Sequence, residues 1–256
     1  MKGVFTKVSD AVSHVRTSLR RGRDEDSKLS NGLDTSNQIL GVSGMSGKKA
    51  RHTLNNLMSI PGITYLEVGS NLGSTYCSSI AWNKEIGWAA SVDNWSQFME
   101  TSDGHLNLNT RTQFHENVKA VVGRTWYEDD TIGDRKRYFC HDADFRDFDF
   151  SKHGPIDVYF FDGPHCENDQ KDGITYAGAA LSDIAIIIVD DWNWGGPREG
   201  TMEAIEELGF NVHYQVEIFT PPPGFVFMDA KAQYYPNRFQ GSDWHNGFSI
   251  IVVSRD

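Results

Sequence analysis

Two long apolar runs, broken only by Asp157, constrain the fold more than any other feature. "IDVYFF" spans residues 156–161 and "IAIIIV" spans 184–189. Runs of this length, rich in β-branched and aromatic residues and bounded by turn signals, read as strands buried on both faces. Further strand-like runs, "ITYLEV", "IGWAASV" and "KRYFC", precede them. Between the runs lie helix-like stretches, "STYCSSIAWN", "TRTQFHENVKAVV" and "ENDQKDGITYAGAAL". Strand alternating with helix implies a parallel sheet with helices on both faces. After "REGTMEAIEELGF", which reads as a helix, "NVHYQVEIF" and "GFSIIVVS" have no clear helix between them, which predicts an antiparallel end to the sheet. The 27-residue stretch "TPPPGFVFMDAKAQYYPNRFQGSDWHN" that joins them reads as a lid or binding loop.

The first residues read as a separate unit. In "VFTKVSDAVSHVRTSL", Val4, Val8, Ala11, Val12, Val15 and Leu19 recur at helical spacing, and "RRGRDEDSKLSNG" then reads as a linker. The helix is a packing or dimerising arm, a basic amphipathic membrane anchor, or a mobile extension. The expected division is therefore 1–46, amphipathic helix and linker, and 47–256, the sheet domain. The second unit opens on a helix in "GKKARHTLNNLMSI", ended by Pro61 and Gly62.

The formal net charge of −11 argues against nucleic acid as a general partner and favours a small molecule or a protein. Cys77, Cys140 and Cys166 form no C-x-x-C pair, which fits a reducing compartment. No apolar run has the length of a membrane span, and the N-terminus carries no signal-peptide core, so the expected location is cytoplasmic.

Open parallel sheets bind ligands at the carboxyl ends of their strands. The first such end is "YLEVGSNLGSTY". Gly69 and Gly73 suit a tight turn that a ligand can approach closely, and Ser74 or Thr75 can cap the following helix. The third glycine of a dinucleotide loop is missing, and Glu67 would repel phosphate while attracting a cationic amine. Asp93 ends the next strand in "SVDNW", where an acid can hydrogen-bond ribose hydroxyls or cap a turn. "YFCHDADF" offers Asp142 beside Ala143.

In this order, "EVGSNLGS", "SVDNW" and "HDADF" resemble the class I S-adenosylmethionine-dependent methyltransferases over residues 64–256. The resemblance implies a doubly wound, mostly parallel seven-stranded α/β sheet, Rossmann-like, with an antiparallel C-terminal strand. Here it would carry an N-terminal helical extension. By position it implies that Glu67, Gly69, Ser70, Gly73 and Ser74 hold the methionine part of the cofactor, that Asp93 binds the ribose, and that Asp142 and Ala143 contact the adenine.

Acidic strand ends recur at "FFDGPH" and "VDDW". Adjacent parallel strands would bring Asp162, Asp190 and Asp191 to one cleft, where repulsion favours a hard cation such as Mg²⁺. Alternatively Asp162 touches the cofactor and the aspartate pair caps a turn. These motifs resemble the metal-dependent O-methyltransferases of the catechol and macrolide-sugar types, which implies Asp162, Asp190 and Asp191 as metal ligands. His165 stands where the catechol type has a lysine. It is the candidate base for the acceptor hydroxyl, or it hydrogen-bonds the Asp162 loop. Trp192 and Trp194 either wall an acceptor pocket or pack in a core. The expectation is methyl transfer from S-adenosylmethionine to a hydroxyl of a small molecule, a sugar or polyol, assisted by the metal. A nicotinamide-dependent oxidoreductase and a non-catalytic binding protein are the alternatives, and a homo-oligomer through the N-terminal helix is a further expectation.

Overall fold

The computed structural model describes residues 1–30, 39–96, 110–122, 127–129, 137–220 and 243–255. The long loop expected between the last two strands falls mostly outside them. Helices α1 (Val8–Arg23) and α2 (Lys48–Leu57) lead into β1 (Thr64–Val68), α3 (Ser74–Ile80), β2 (Trp88–Asp93), α4 (Thr110–Val122), β3 (Tyr127–Asp129) and β4 (Tyr138–Asp142). Then follow β5 (Ile156–Phe161), α5 (Glu167–Gly178), β6 (Leu181–Asp190), α6 (Gly195–Glu207), β7 (Asn211–Ile218) and β8 (Phe248–Ser254).

The strands form one sheet in the order β3-β4-β2-β1-β5-β6-β8-β7. All pairs from β3 to β6 are parallel. β8 runs antiparallel between β6 and β7. The seven strands expected are present, and the three-residue β3 extends the edge beyond them. The chain adds strands outward from β1 in both directions, so the gap between β1 and β5 is the topological switch point where such sheets bind ligands.

Period-two alternation explains the apolar runs. On β5, Val158 and Phe160 enter the core on one face, and Tyr159 and Phe161 the core on the other. On β6, Ile186 and Ile188 oppose Ile187 and Val189 in the same way.

The N-terminal helix belongs to the first of these cores. Ala11, Val15 and Leu19 are buried there with Leu54 and Leu57 of α2, and α1 also contacts β6, β7 and β8. The apolar stripe, read as a packing or dimerising arm, packs against α2 and the chain's own sheet. α1 also runs four residues past the expected end. Arg20, Arg21 and Arg23 form its last turn, where cations oppose the negative end of the helix dipole. The stretch "GGPREG" is the start of α6. Pro197 lies in the first turn, where a missing N–H costs no helical bond.

At the opposite end of the sheet from the strand tips, Asp157 of β5 is buried. Its carboxylate accepts from the backbone N–H of Val4 (3.0 Å) and of Thr64 (3.0 Å), and from the hydroxyls of Thr64 (2.8 Å) and Ser182 (2.7 Å). One side chain thereby joins the N-terminal segment, β1, β5 and β6.

Candidate functional site

At the carboxyl ends of β1, β2, β4 and β5 lies a cavity of about 340 Å³. Its floor is the turn after β1. Gly69 has φ +85°, and a Cβ there would fall 1.9 Å from the Asp162 carbonyl oxygen, so only glycine lets the ends of β1 and β5 meet. Gly73, also left-handed at φ +84°, precedes the first residue of α3. Ser70 and Ser74 line the cavity, and Ser70 accepts a hydrogen bond from Ser91 of β2 at 2.8 Å.

Asp93, the last residue of β2, lines the cavity as well. Its Oδ2 accepts from the N–H of Asn71 and its Oδ1 from that of Trp95, both at 2.7 Å. Burial raises its pKa, against the pull of these two donors. The carboxylate is fixed at the cavity edge with lone pairs remaining. Trp95 donates its indole N–H to the Asn71 carbonyl at 3.0 Å, which ties the turn after β2 to the turn after β1. Ala143, Asp144 and Phe145 form the wall after β4. Asp142 stands beside Asp93 in register but is not part of the lining. It pairs with Arg111 at 2.9 Å.

Glu67 stands apart from the expected role. It is fully buried and does not line the cavity. Val68, not Glu67, is the last residue of β1, so alternation turns Glu67 to the same face as Tyr65. Its carboxyl accepts from the hydroxyls of Tyr65 and of Thr75, the latter at 2.7 Å. Burial pushes its pKa up from 4.5 to about 7, opposed by these donors. The folded chain therefore holds a proton that the unfolded chain has released between these two values, and stability falls as pH rises through that window. Glu67→Gln is expected to remove this dependence. Urea melts should show the variant ahead of wild type by on the order of 3 kcal/mol at pH 8, with the gap closing towards pH 4. A gap equal at both pH values would contradict the shifted carboxyl.

The far wall comes from the turn after β5, with Asp162, Gly163, Pro164 and His165. Burial raises the pKa of Asp162 well above the ordinary carboxylate value, helped by Asp190, Asp191, Glu67 and Asp93. Asp190 is raised by burial and then by Asp191. The acids after β5 and β6 thus share one field, but they do not form a cation cage. Asp191 takes a left-handed backbone (φ 54°) and turns its carboxylate to nitrogen partners. Oδ1 accepts from Asn246 at 2.7 Å, Oδ2 lies 3.2 Å from His165 Nε2, and His245 Nδ1 stands 3.8 Å from Oδ1. One Asp190 oxygen accepts from the Asp191 N–H at 2.9 Å. Among the described residues, no three His, Cys, Asp or Glu form a group that would hold a metal ion. The expected Mg²⁺ set of Asp162, Asp190 and Asp191 does not fit this arrangement.

His165 lies at the rim, edge-on to Trp194 with ring centroids 5.0 Å apart. Trp194 is 44% exposed, whereas Trp192 is buried and donates to Glu217 at 2.8 Å. Of the two tryptophans Trp194 is the exposed one; Trp192 is a core residue.

Sequence reasoning missed Asn94, Trp95, Asp144 and Phe145 in the lining, although they belong to the motifs "SVDNW" and "HDADF" themselves. It also missed Gly44, Met45 and Ser46, which lie before the residues that carry the resemblance.

No protein-family model matches the chain, and no curated protein matches its sequence. Solved structures do resemble it. A candidate RNA methyltransferase from Pyrococcus horikoshii is 12% identical over 88% of this chain and 93% of its own, with a TM-score of 0.49. An S-adenosylmethionine-dependent O-methyltransferase from Thermotoga maritima is 13% identical over 81% and 64%, with a TM-score of 0.46. The ribosomal protein L11 methylase of Lactobacillus delbrueckii subsp. bulgaricus is 11% identical over 81% and 78%, with a TM-score of 0.46. The strand order defines a Rossmann-like doubly wound sheet, and the cavity lies at its switch point. Among the described residues no helix is long and apolar enough to cross a membrane.

Proposed function

We propose that this chain transfers a methyl group from S-adenosylmethionine to a hydroxyl of a small molecule. The observation that carries the reading is the span of the cavity. At one side Asp93 is held by two backbone N–H groups, and at the other His165 stands against Asp191. A fixed strand-end carboxylate suits the paired hydroxyls of a ribose. A turn built on Gly69 suits an extended ligand lying against backbone.

When bound, S-adenosylmethionine supplies an electrophilic methyl group on a sulfonium. The chain's task is then to align the acceptor oxygen and to take its proton. Positioning of this kind supplies much of the acceleration in a displacement. His165 takes the proton at the nitrogen of its ring that is not turned to Asp191, and Asp191 fixes the ring and stabilises the imidazolium. Trp194, exposed beside His165, offers a flat apolar face for a sugar or an aromatic ring.

The test is transfer of a tritium-labelled methyl group to a panel of sugars, polyols and catechols, each with and without EDTA. Incorporation into a hydroxyl acceptor that persists in EDTA is expected. Incorporation abolished by EDTA would restore the metal-assisted version. Label passing to RNA and to none of the small acceptors would overturn the acceptor class.

A further inference from the structure

Residues 39–46 precede the part of the chain that carries the methyltransferase resemblance, yet they reach the cavity. Gly44, Met45 and Ser46 line it next to Ser74 and Thr75 of α3. Two contacts fix this segment. From behind, Arg51 of α2 is fully buried and reaches into the curve of the segment. Its Nη1 donates to the carbonyls of Leu40 (3.0 Å) and Val42 (2.9 Å), and its Nε donates to Ser46 Oγ (2.8 Å). Ser46 Oγ is in turn 2.9 Å from Ser74 Oγ. At the front, Gly44 lies directly on Ser74. A Cβ on Gly44 would fall 2.2 Å from the Ser74 oxygen and 2.4 Å from its Cβ.

Burying a guanidinium carries a large desolvation cost, which these hydrogen bonds offset. Burial lowers the pKa of Arg51 to about 10, which leaves it charged at neutral pH. Only the planar fork of arginine spans a hydroxyl and two carbonyls at once; a lysine brings a single nitrogen. The fork therefore holds one backbone shape for residues 40–46 against α3.

The lining groups by element. Asp93, Asn94, Trp95 and the 143–145 wall follow β2 and β4, whereas Gly44 to Ser46 lie with Ser74 and Thr75 of α3, which follows β1. Resting on the proposed methyl-transfer function, the nucleoside lies against the Asp93 group. We infer that residues 44–46 bind the amino-acid tail of the sulfonium cofactor, with Arg51 as the positioning residue and Gly44 as the contact that seats the segment on α3.

S-adenosylhomocysteine and methylthioadenosine separate the two groups, because the second ligand shares the nucleoside and thioether but lacks the amino-acid tail. Both are titrated calorimetrically into wild type, Gly44→Ala and Arg51→Lys, with a thermal melt of each protein. Both variants are expected to bind S-adenosylhomocysteine about tenfold more weakly, while methylthioadenosine affinity stays within about twofold. Parallel weakening of both ligands would mean general loosening of the fold and would overturn the assignment. So would S-adenosylhomocysteine affinity unchanged in both variants. Wild type binding neither ligand would instead remove the methyltransferase reading itself, and this assignment with it.

Discussion

Asp157→Ala is expected to destabilise the protein by about 4 kcal/mol, a large loss for a single side chain. The carboxylate satisfies two backbone N–H groups and two hydroxyls in a site with 1% exposure. Alanine would leave the buried N–H of Thr64 without this acceptor and free Val4 from the sheet. An unsatisfied buried donor costs about 1–3 kcal/mol, and the lost hydroxyl bonds and the cavity add to that. Asp157→Asn should cost about half as much, because one oxygen remains to accept while the amide opposes a donor. Urea denaturation followed by circular dichroism reads both values. A loss under about 1 kcal/mol for alanine would mean that the N-terminal segment is held mainly by the packing of α1.

His165→Ala is expected to lower kcat for the acceptor found in the transfer assay by about 100-fold, in the range that a positioned acid or base contributes. Affinity for S-adenosylhomocysteine should change far less, because the Asp93 group of the lining is untouched. Asp191→Asn leaves the imidazole in place but weakens what orients it, and about a tenfold loss in kcat is expected. The comparison separates chemistry from binding, since a lost wall would raise KM instead. An unchanged kcat in His165→Ala would sink the proton-acceptor role.

Most of the sheet was readable because burial on both faces forces apolar residues at nearly every position of β5 and along the 184–189 run of β6. The three-residue β3 carries no such signal, and an edge strand that short gives no period to read. The site was readable where a motif sits at a strand tip. Asp93 ends β2, and the turn holding Asp162 and His165 follows β5, so all three line the cavity. Glu67 was misjudged by one position. It precedes the last residue of β1, and in a strand one position changes the face. The aspartate pair was misjudged because its partners, Asn246 and His245, lie just before β8 and are more than fifty residues away in sequence. Residues 40–46 have no periodicity at all. Their shape comes from Arg51, a contact that no spacing rule announces.

The most direct test of the central claim is a calorimetric titration of the folded wild-type protein with S-adenosylhomocysteine, run beside NADH and beside the Asp93→Ala variant. Micromolar binding of S-adenosylhomocysteine is expected, weakened by about 100-fold in Asp93→Ala, with no heat from NADH. Binding of NADH without binding of S-adenosylhomocysteine would contradict the claim.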